Sequence, residues 1–169
     1  STWTGLLSAE QFGVPQSRIR AFLIASSESE VAPPEPTHRR FAVQSSNRLD
    51  RKDAHLPMWH SMADVVERDE PWFSLHTGRG AGASRETQKR RFVHPAPTLT
   101  TGAHAFRLHS PAGAPPRGLT VSEGLQLQGF PPDVVDGLDV SRTAAYKGIG
   151  NSVCPPVASA IVQKLAGKQ

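Results

Sequence analysis

Ten consecutive residues constrain the fold of this chain most strongly. After the break Phe12-Gly13-Val14-Pro15, polar and apolar residues alternate through Gln16-Ser17-Arg18-Ile19-Arg20 and then give way to the apolar run Ala21-Phe22-Leu23-Ile24-Ala25. Pro15 pushes Val14 toward extended geometry, and the pattern after it is that of a strand entering a buried sheet. Alternation on a strand puts Gln16, Arg18 and Arg20 on one side and Ile19 and Ala21 on the other. Two guanidiniums beside an apolar run call for an anion, a carboxylate or a base edge. The same spacing also suits an exposed edge with solvated arginines.

The elements around this strand are short. Leu6 to Gln11 reads as a helical turn, and residues 31 to 57 form a long irregular segment with Pro33, Pro34, Pro36 and Pro57. A short helix is expected from Ser61, as cap, to Arg68, with Met62, Val65 and Val66 on one face. Gly78 to Arg91 reads as a mobile basic loop, followed by short strands at Arg91 to Val93, Thr98 to Thr101 and Ala105 to Leu108. Thr120 and Glu123 have capping-box spacing, Val121, Leu125 and Leu127 supply the apolar contacts, and Gly129 with Pro131-Pro132 stops the helix. A last helix enters through Pro155-Pro156, carries Val157, Ala158, Ile161, Val162 and Leu165 on one face, and ends near Lys164 and Lys168. Gly148-Ile149-Gly150-Asn151-Ser152-Val153 reads as a glycine-bearing turn before that helix, either a tight helix entry or a place where backbone N–H groups approach a ligand.

Of the 19 basic residues, 14 are Arg, and the formal net charge is +4. Guanidinium forks bind phosphates and guanine edges bidentately, so the balance leans toward nucleic acid. A length of 169 residues suits one domain, and 14 Gly with 15 Pro imply a loop-heavy but ordered fold. No apolar run approaches the ~20 residues that span a bilayer, and residues 1 to 7 lack the layout of a signal peptide, so an intracellular, cytoplasmic protein is expected. The one cysteine, Cys154, fits a reducing compartment. The seven histidines lack HExxH or Cys-His spacing, which assigns no metal. Cys154 sits at a helix entry, where a thiol pKa can fall, but no neighbouring sequence offers it a base. The chain opens on Ser1, so upstream sequence is expected.

Three blocks in order carry a resemblance: Phe12 through Arg20; Arg117-Gly118-Leu119-Thr120-Val121-Ser122-Glu123 through Leu127-Gln128-Gly129-Phe130-Pro131; and Gly150-Asn151-Ser152-Val153 with Pro155-Pro156. Together they resemble the eighth, ninth and tenth blocks of cytosine-C5 DNA methyltransferases. The region between the first two, with Pro97-Thr98-Leu99-Thr100-Thr101 near its end, is similar to that family's target recognition domain.

The resemblance implies an α+β fold. Residues 1–26 would end a Rossmann-like catalytic sheet, 27–140 would hold a small mixed recognition lobe and the Leu-Gln-Gly-Phe-Pro packing block, and 141–169 would return to the catalytic domain. It gives Arg18 and Arg20, with Gln16, to the pocket of the flipped cytosine. Asn151, Ser152 and Val153 go to the wall beside S-adenosylmethionine, and Thr98 goes to a phosphate near the target. Thr100, Arg79 and Arg85 complete the expected DNA contacts. The cofactor loop, the Pro-Cys nucleophile loop and the Glu-Asn-Val block of the family have no counterpart here, so Cys154 is not the expected nucleophile. In the full enzyme a thiolate attacks C6 of an extruded cytosine. The implied partners are double-stranded DNA and an N-terminal methyltransferase portion, in cis or as a separate subunit. A stand-alone DNA-binding module without catalysis is the alternative.

Overall fold

The computed structural model describes residues 1–27, 29–41, 53–66, 74–77, 90–102, 106–109, 113 and 115–167. Expectations for Arg79, Arg85, most of the basic loop from Gly78, the helix end at Arg68, Ala105 and Lys168 fall outside them.

Thr2–Ser8 (β1) and Ile19–Ala25 (β3) form an antiparallel hairpin in seven-residue register, from Thr2 opposite Ala25 to Ser8 opposite Ile19. This corrects the helical turn expected at Leu6 to Gln11: only Ala9–Phe12 is helical, as one 3-10 turn. Leu6 and Leu7 are strand residues because they pair with Ala21 and Arg20 across the hairpin, and cross-strand pairing outweighs local preference. Gly13 closes the turn at φ 78°, a conformation that costs a residue with a side chain.

The strand expected to continue unbroken from Gln16 is interrupted. Gln16–Ser17 (β2) pairs in parallel with Ala96–Pro97 (β5), while β3 begins at Ile19. Arg18 stands between the two pairings, so Gln16, Arg18 and Arg20 do not form one row: Gln16 and Arg18 are buried and Arg20 is exposed. Nor is β3 buried on both faces. Trp3, Leu7, Phe22 and Ile24 share the inner face, whereas Leu6 (69% exposed), Ile19 and Leu23 (71%) lie on the outer one.

Ser74–Thr77 (β4), Phe106–His109 (β6) and Arg117–Gly118 (β7) form a three-stranded antiparallel sheet in the order β4-β6-β7. β6 matches the expected third short strand. Arg91 to Val93 is instead part of a turn closed by the His94 N–H on the Arg91 carbonyl at 3.0 Å. Thr98 to Thr101 also lies outside any strand, because the backbone of Leu99 is taken up by side chains rather than by a neighbouring strand. At Ser61 only Met62–Asp64 is helical, a 3-10 turn in which the Asp64 carboxylate accepts the Ser61 N–H at 2.6 Å; Met62 and Val66 are buried as their spacing predicts.

Among the described residues the α-helices are Val121–Gln128 (α1), Arg142–Asn151 (α2) and Pro155–Leu165 (α3). In α1 the capping box is formed in full, and Arg117 extends it with a forked pair on the Glu123 carboxylate at 2.9 and 2.7 Å. The glycine-bearing turn expected at Gly148 to Val153 is corrected in part: Gly148 to Asn151 end α2, which is capped by Ser141, and only Ser152 and Val153 are extended linker. Two glycines are tolerated there because Tyr146 and Ile149 bury the helix against α1.

The described residues form two apolar clusters. The larger joins Met62, Phe92, Leu99, Phe106, Leu127 and Tyr146 among others, and α2 belongs to it. The smaller joins Leu7, Phe12, Val14, Cys154, Val157 and Ala160, seating α3 on the inner face of the hairpin. Val162 and Leu165, expected on the buried face of α3, are exposed, and its contact is made by Val157 and Ala160.

Candidate active site and DNA interface

The clusters meet at Gln16 and Arg18. Gln16 is fully buried, and its amide is saturated: Oε1 accepts the Leu99 N–H at 3.0 Å, and Nε2 donates to the Leu127 carbonyl at 3.1 Å and to Gln128 Oε1 at 2.8 Å. Gln128, also fully buried, passes the chain on from Nε2 to the carbonyl and Oγ of Ser152 at 3.1 and 3.2 Å. Arg18 Nη1 donates to the Leu99 carbonyl at 2.7 Å, and Nη2 donates to the carbonyls of Gly150 and Ser152 at 2.8 and 3.0 Å. Burial, helped by the nearby Arg20, pushes the pKa of Arg18 below its ordinary value.

Of the three expected base-pocket residues, then, two are enclosed by protein and one is open. Among the described residues Arg20 donates from Nη1 to the adjacent Ile19 carbonyl, at 2.7 Å, and its side chain lines a small cleft with Leu7, Arg18, Phe22, Val153 and Cys154. Val153, half exposed, lines the same cleft, and Asn151 is exposed at the end of α2. Ser152 is different. Its hydroxyl donates to the Ile149 carbonyl at 2.8 Å and accepts from Gln128, and its carbonyl is shared by Arg18 and Gln128.

Cys154 is buried at the entry to α3, and its thiol is pushed up to about 11, chiefly by desolvation and against the opposing influence of Arg18. A helix N-terminus does not offset that burial.

The threonines also divide. Thr98 is half-buried and donates its hydroxyl proton to the Ser17 carbonyl at 2.9 Å, while Thr100 is exposed. The two residues that sequence reasoning missed are Gln128 and Arg90. Arg90 donates to the Ser17 hydroxyl and to the carbonyls of Pro95 and Ala96, the last two at 3.1 and 3.3 Å, and lies over the Phe41 ring at 5.0 Å. It thereby fastens β2 to β5. Neither role has a local signature, since Gln128 depends on Gln16 and Ser152 and Arg90 on Ser17, all distant in sequence.

The profile of the C-5 cytosine-specific DNA methylases matches residues 2–167. The chain belongs to that family. Among curated relatives, it is 26% identical to the type II methyltransferase M.SsoII of Shigella sonnei, over 98% of this chain and 44% of that protein. It is 29% identical to M1.ScrFI of Lactococcus lactis subsp. cremoris, over 96% and 42%, and 28% identical to M.NlaX of Neisseria lactamica, over 96% and 51%. The chain therefore spans about half the length of these relatives. The Dnmt2 methyltransferase of S. pombe superposes with a TM-score of 0.61 at 16% identity, covering 99% of this chain and 57% of that one, which establishes a shared mixed α/β fold. Among the described residues no helix is long and apolar enough to cross a membrane.

Proposed function

We propose that this chain is the part of a DNA cytosine-C5 methyltransferase that supplies target recognition and one side of the base and cofactor pockets, and that it is inactive alone. The observation that carries the reading is the convergence of the three family blocks on the Gln16–Arg18 hub, beside a cleft lined by Arg18, Arg20 and Val153 in which Arg20 and Val153 are the exposed members. Arg20 would hold the extruded cytosine. Asn151 and Val153 suit one wall of an S-adenosylmethionine site, since both are exposed; Ser152 has its polar atoms committed within the protein and would act through the backbone path alone. When bound, that cofactor supplies the methyl group. Thr100 would face the DNA, with Arg79 and Arg85 as further contacts.

The chain's only cysteine is buried and held as a thiol, so the attacking thiolate must come from another portion of the enzyme. The outer face of the β1–β3 hairpin supports this. Leu6, Ile19 and Leu23 are exposed together, and an apolar face of that kind favours its being covered by the N-terminal portion of the enzyme over a stand-alone DNA-binding module.

The test is methyl transfer from labelled S-adenosylmethionine to duplex DNA, by the chain alone and together with a complementary N-terminal half. Transfer should require the pair. Robust transfer by the chain alone, abolished by Cys154→Ala, would falsify the reading; tight DNA binding with no transfer even after the second half is added would favour the stand-alone module.

A further inference from the structure

Leu99 is gripped on both sides of its backbone, its N–H by Gln16 and its carbonyl by Arg18. The guanidinium that takes this carbonyl also takes those of Gly150 and Ser152, 132 and 134 residues away. The two segments so joined touch directly. A Cβ added at Gly150 would come within 2.3 Å of both the Thr100 carbonyl carbon and the Thr101 nitrogen, so α2 ends against the peptide that follows Thr100. Arg18 is 4% exposed, and its Nε–H, also buried, has no hydrogen-bond partner among the described residues. With three of its five N–H groups bonded to carbonyls of two separate segments and the side chain enclosed, this guanidinium is fixed by protein rather than free to swing onto a base or a phosphate.

We propose that Arg18 is a positioning residue rather than a base contact. It fixes the spacing between the segment that carries Thr100 and the Gly150–Val153 segment, and leaves Arg20 as the arginine that meets substrate. What the two segments face rests on the function proposed above; the clamp itself does not. Lysine keeps the charge of Arg18 but presents a compact ammonium instead of a planar fork, and it cannot bridge three carbonyls that arginine reaches from two nitrogens.

The test uses this chain and the variants Arg18→Lys, Arg20→Ala and Gly150→Ala, with amide hydrogen exchange followed by NMR and with duplex DNA binding. Arg18→Lys should speed exchange at both Leu99 and Ser152 by roughly tenfold or more, as expected when buried charge-assisted bonds are lost. Arg20→Ala should leave both unchanged. Gly150→Ala keeps the guanidinium but pushes its Gly150 acceptor away from the Thr100–Thr101 peptide, and should speed exchange at the same two amides, which keeps the test decisive if Arg18→Lys does not fold. In binding, Thr100→Ala should weaken duplex affinity severalfold in the native background and have little further effect beside Arg18→Lys, because residues acting through one clamp are not additive. Faster exchange at only one of the two segments, or an equal cost of Thr100→Ala in both backgrounds, would overturn the assignment. If the unaltered chain, paired with its N-terminal half, binds no duplex DNA, the proposed function fails, while the exchange measurements still decide the clamp.

Discussion

The two apolar clusters differ in how completely they enclose themselves. In the larger one Met62, Leu99, Leu108, Leu127 and Tyr146 are fully buried, and the Tyr146 hydroxyl finds the Leu119 carbonyl within it. In the smaller one Leu7, Phe12 and Ala160 remain 7–8% exposed, and the strands that build it turn Leu6 and Leu23 outward. The larger cluster has the character of a finished core. The smaller is a single layer, a hairpin with α3 on one face and nothing on the other among the described residues. Local protein chemistry alone accounts for the first, whereas the second makes sense as one side of a larger body.

The same substitution made in each cluster should separate them most. Leu127→Ala should cost about 4 kcal/mol and Leu7→Ala about 2 kcal/mol in urea unfolding, because an enclosed site leaves a cavity and a site near the surface can collapse. Equal losses would mean that the clusters are equally closed. The Arg117 fork on Glu123 comes next. Glu123 is buried and also caps α1 through the Thr120 N–H at 2.8 Å, so Glu123→Gln should cost about 1.5–3 kcal/mol, the range for hydrogen bonds to charged groups. The same unfolding series would measure it, and a loss below that range would place the pair among weak surface contacts.

Leu23→Asp should alter the stability of the chain alone by no more than about 0.5 kcal/mol, as for an exposed site, yet prevent association with an N-terminal half in a pull-down. Marked destabilisation of the isolated chain would show that the outer face is already covered. The smallest effect concerns Cys154. Its pKa is raised from 9.0 to about 11 by burial, so the folded state holds the proton more tightly than the unfolded state. The associated stability is fully present below 9.0 and is lost as pH rises through about 11. Alkylation by iodoacetamide near neutral pH should accordingly be slow in the native chain and fast in denaturant; rapid native labelling would refute the buried-thiol state.

What could be read from the sequence follows the range of the interactions involved. The capping box of Thr120 and Glu123 and the Pro155-Pro156 entry to α3 are complete within a few residues, and both elements form where expected. β1 is hidden because its partner begins 11 residues after it ends and its last residues, Leu6-Leu7-Ser8, with Ala9 after them, suit a helix as well. α2 was hidden by Gly148 and Gly150, which read as a turn until Gly150 is seen to need close approach to the Thr100–Thr101 peptide. The site divides in the same way. Alternation placed Arg18 and Arg20 on one face, but Arg18 is claimed by carbonyls 81, 132 and 134 residues away, which no local pattern encodes. Thr98 and Thr100 were paired as DNA contacts; the Ser17 carbonyl takes the hydroxyl proton of the first and leaves the second exposed.

The central claim is that Arg20, and not Arg18, meets the extruded cytosine in the completed enzyme, and single-turnover methyl transfer by Arg20→Ala beside its duplex DNA affinity tests it most directly. A contact made only to the extruded base acts in the transition state. Transfer should therefore fall by on the order of 100-fold, while affinity for duplex DNA should change by less than about threefold. Equal losses in transfer and in affinity would place Arg20 on the phosphate backbone and contradict the account.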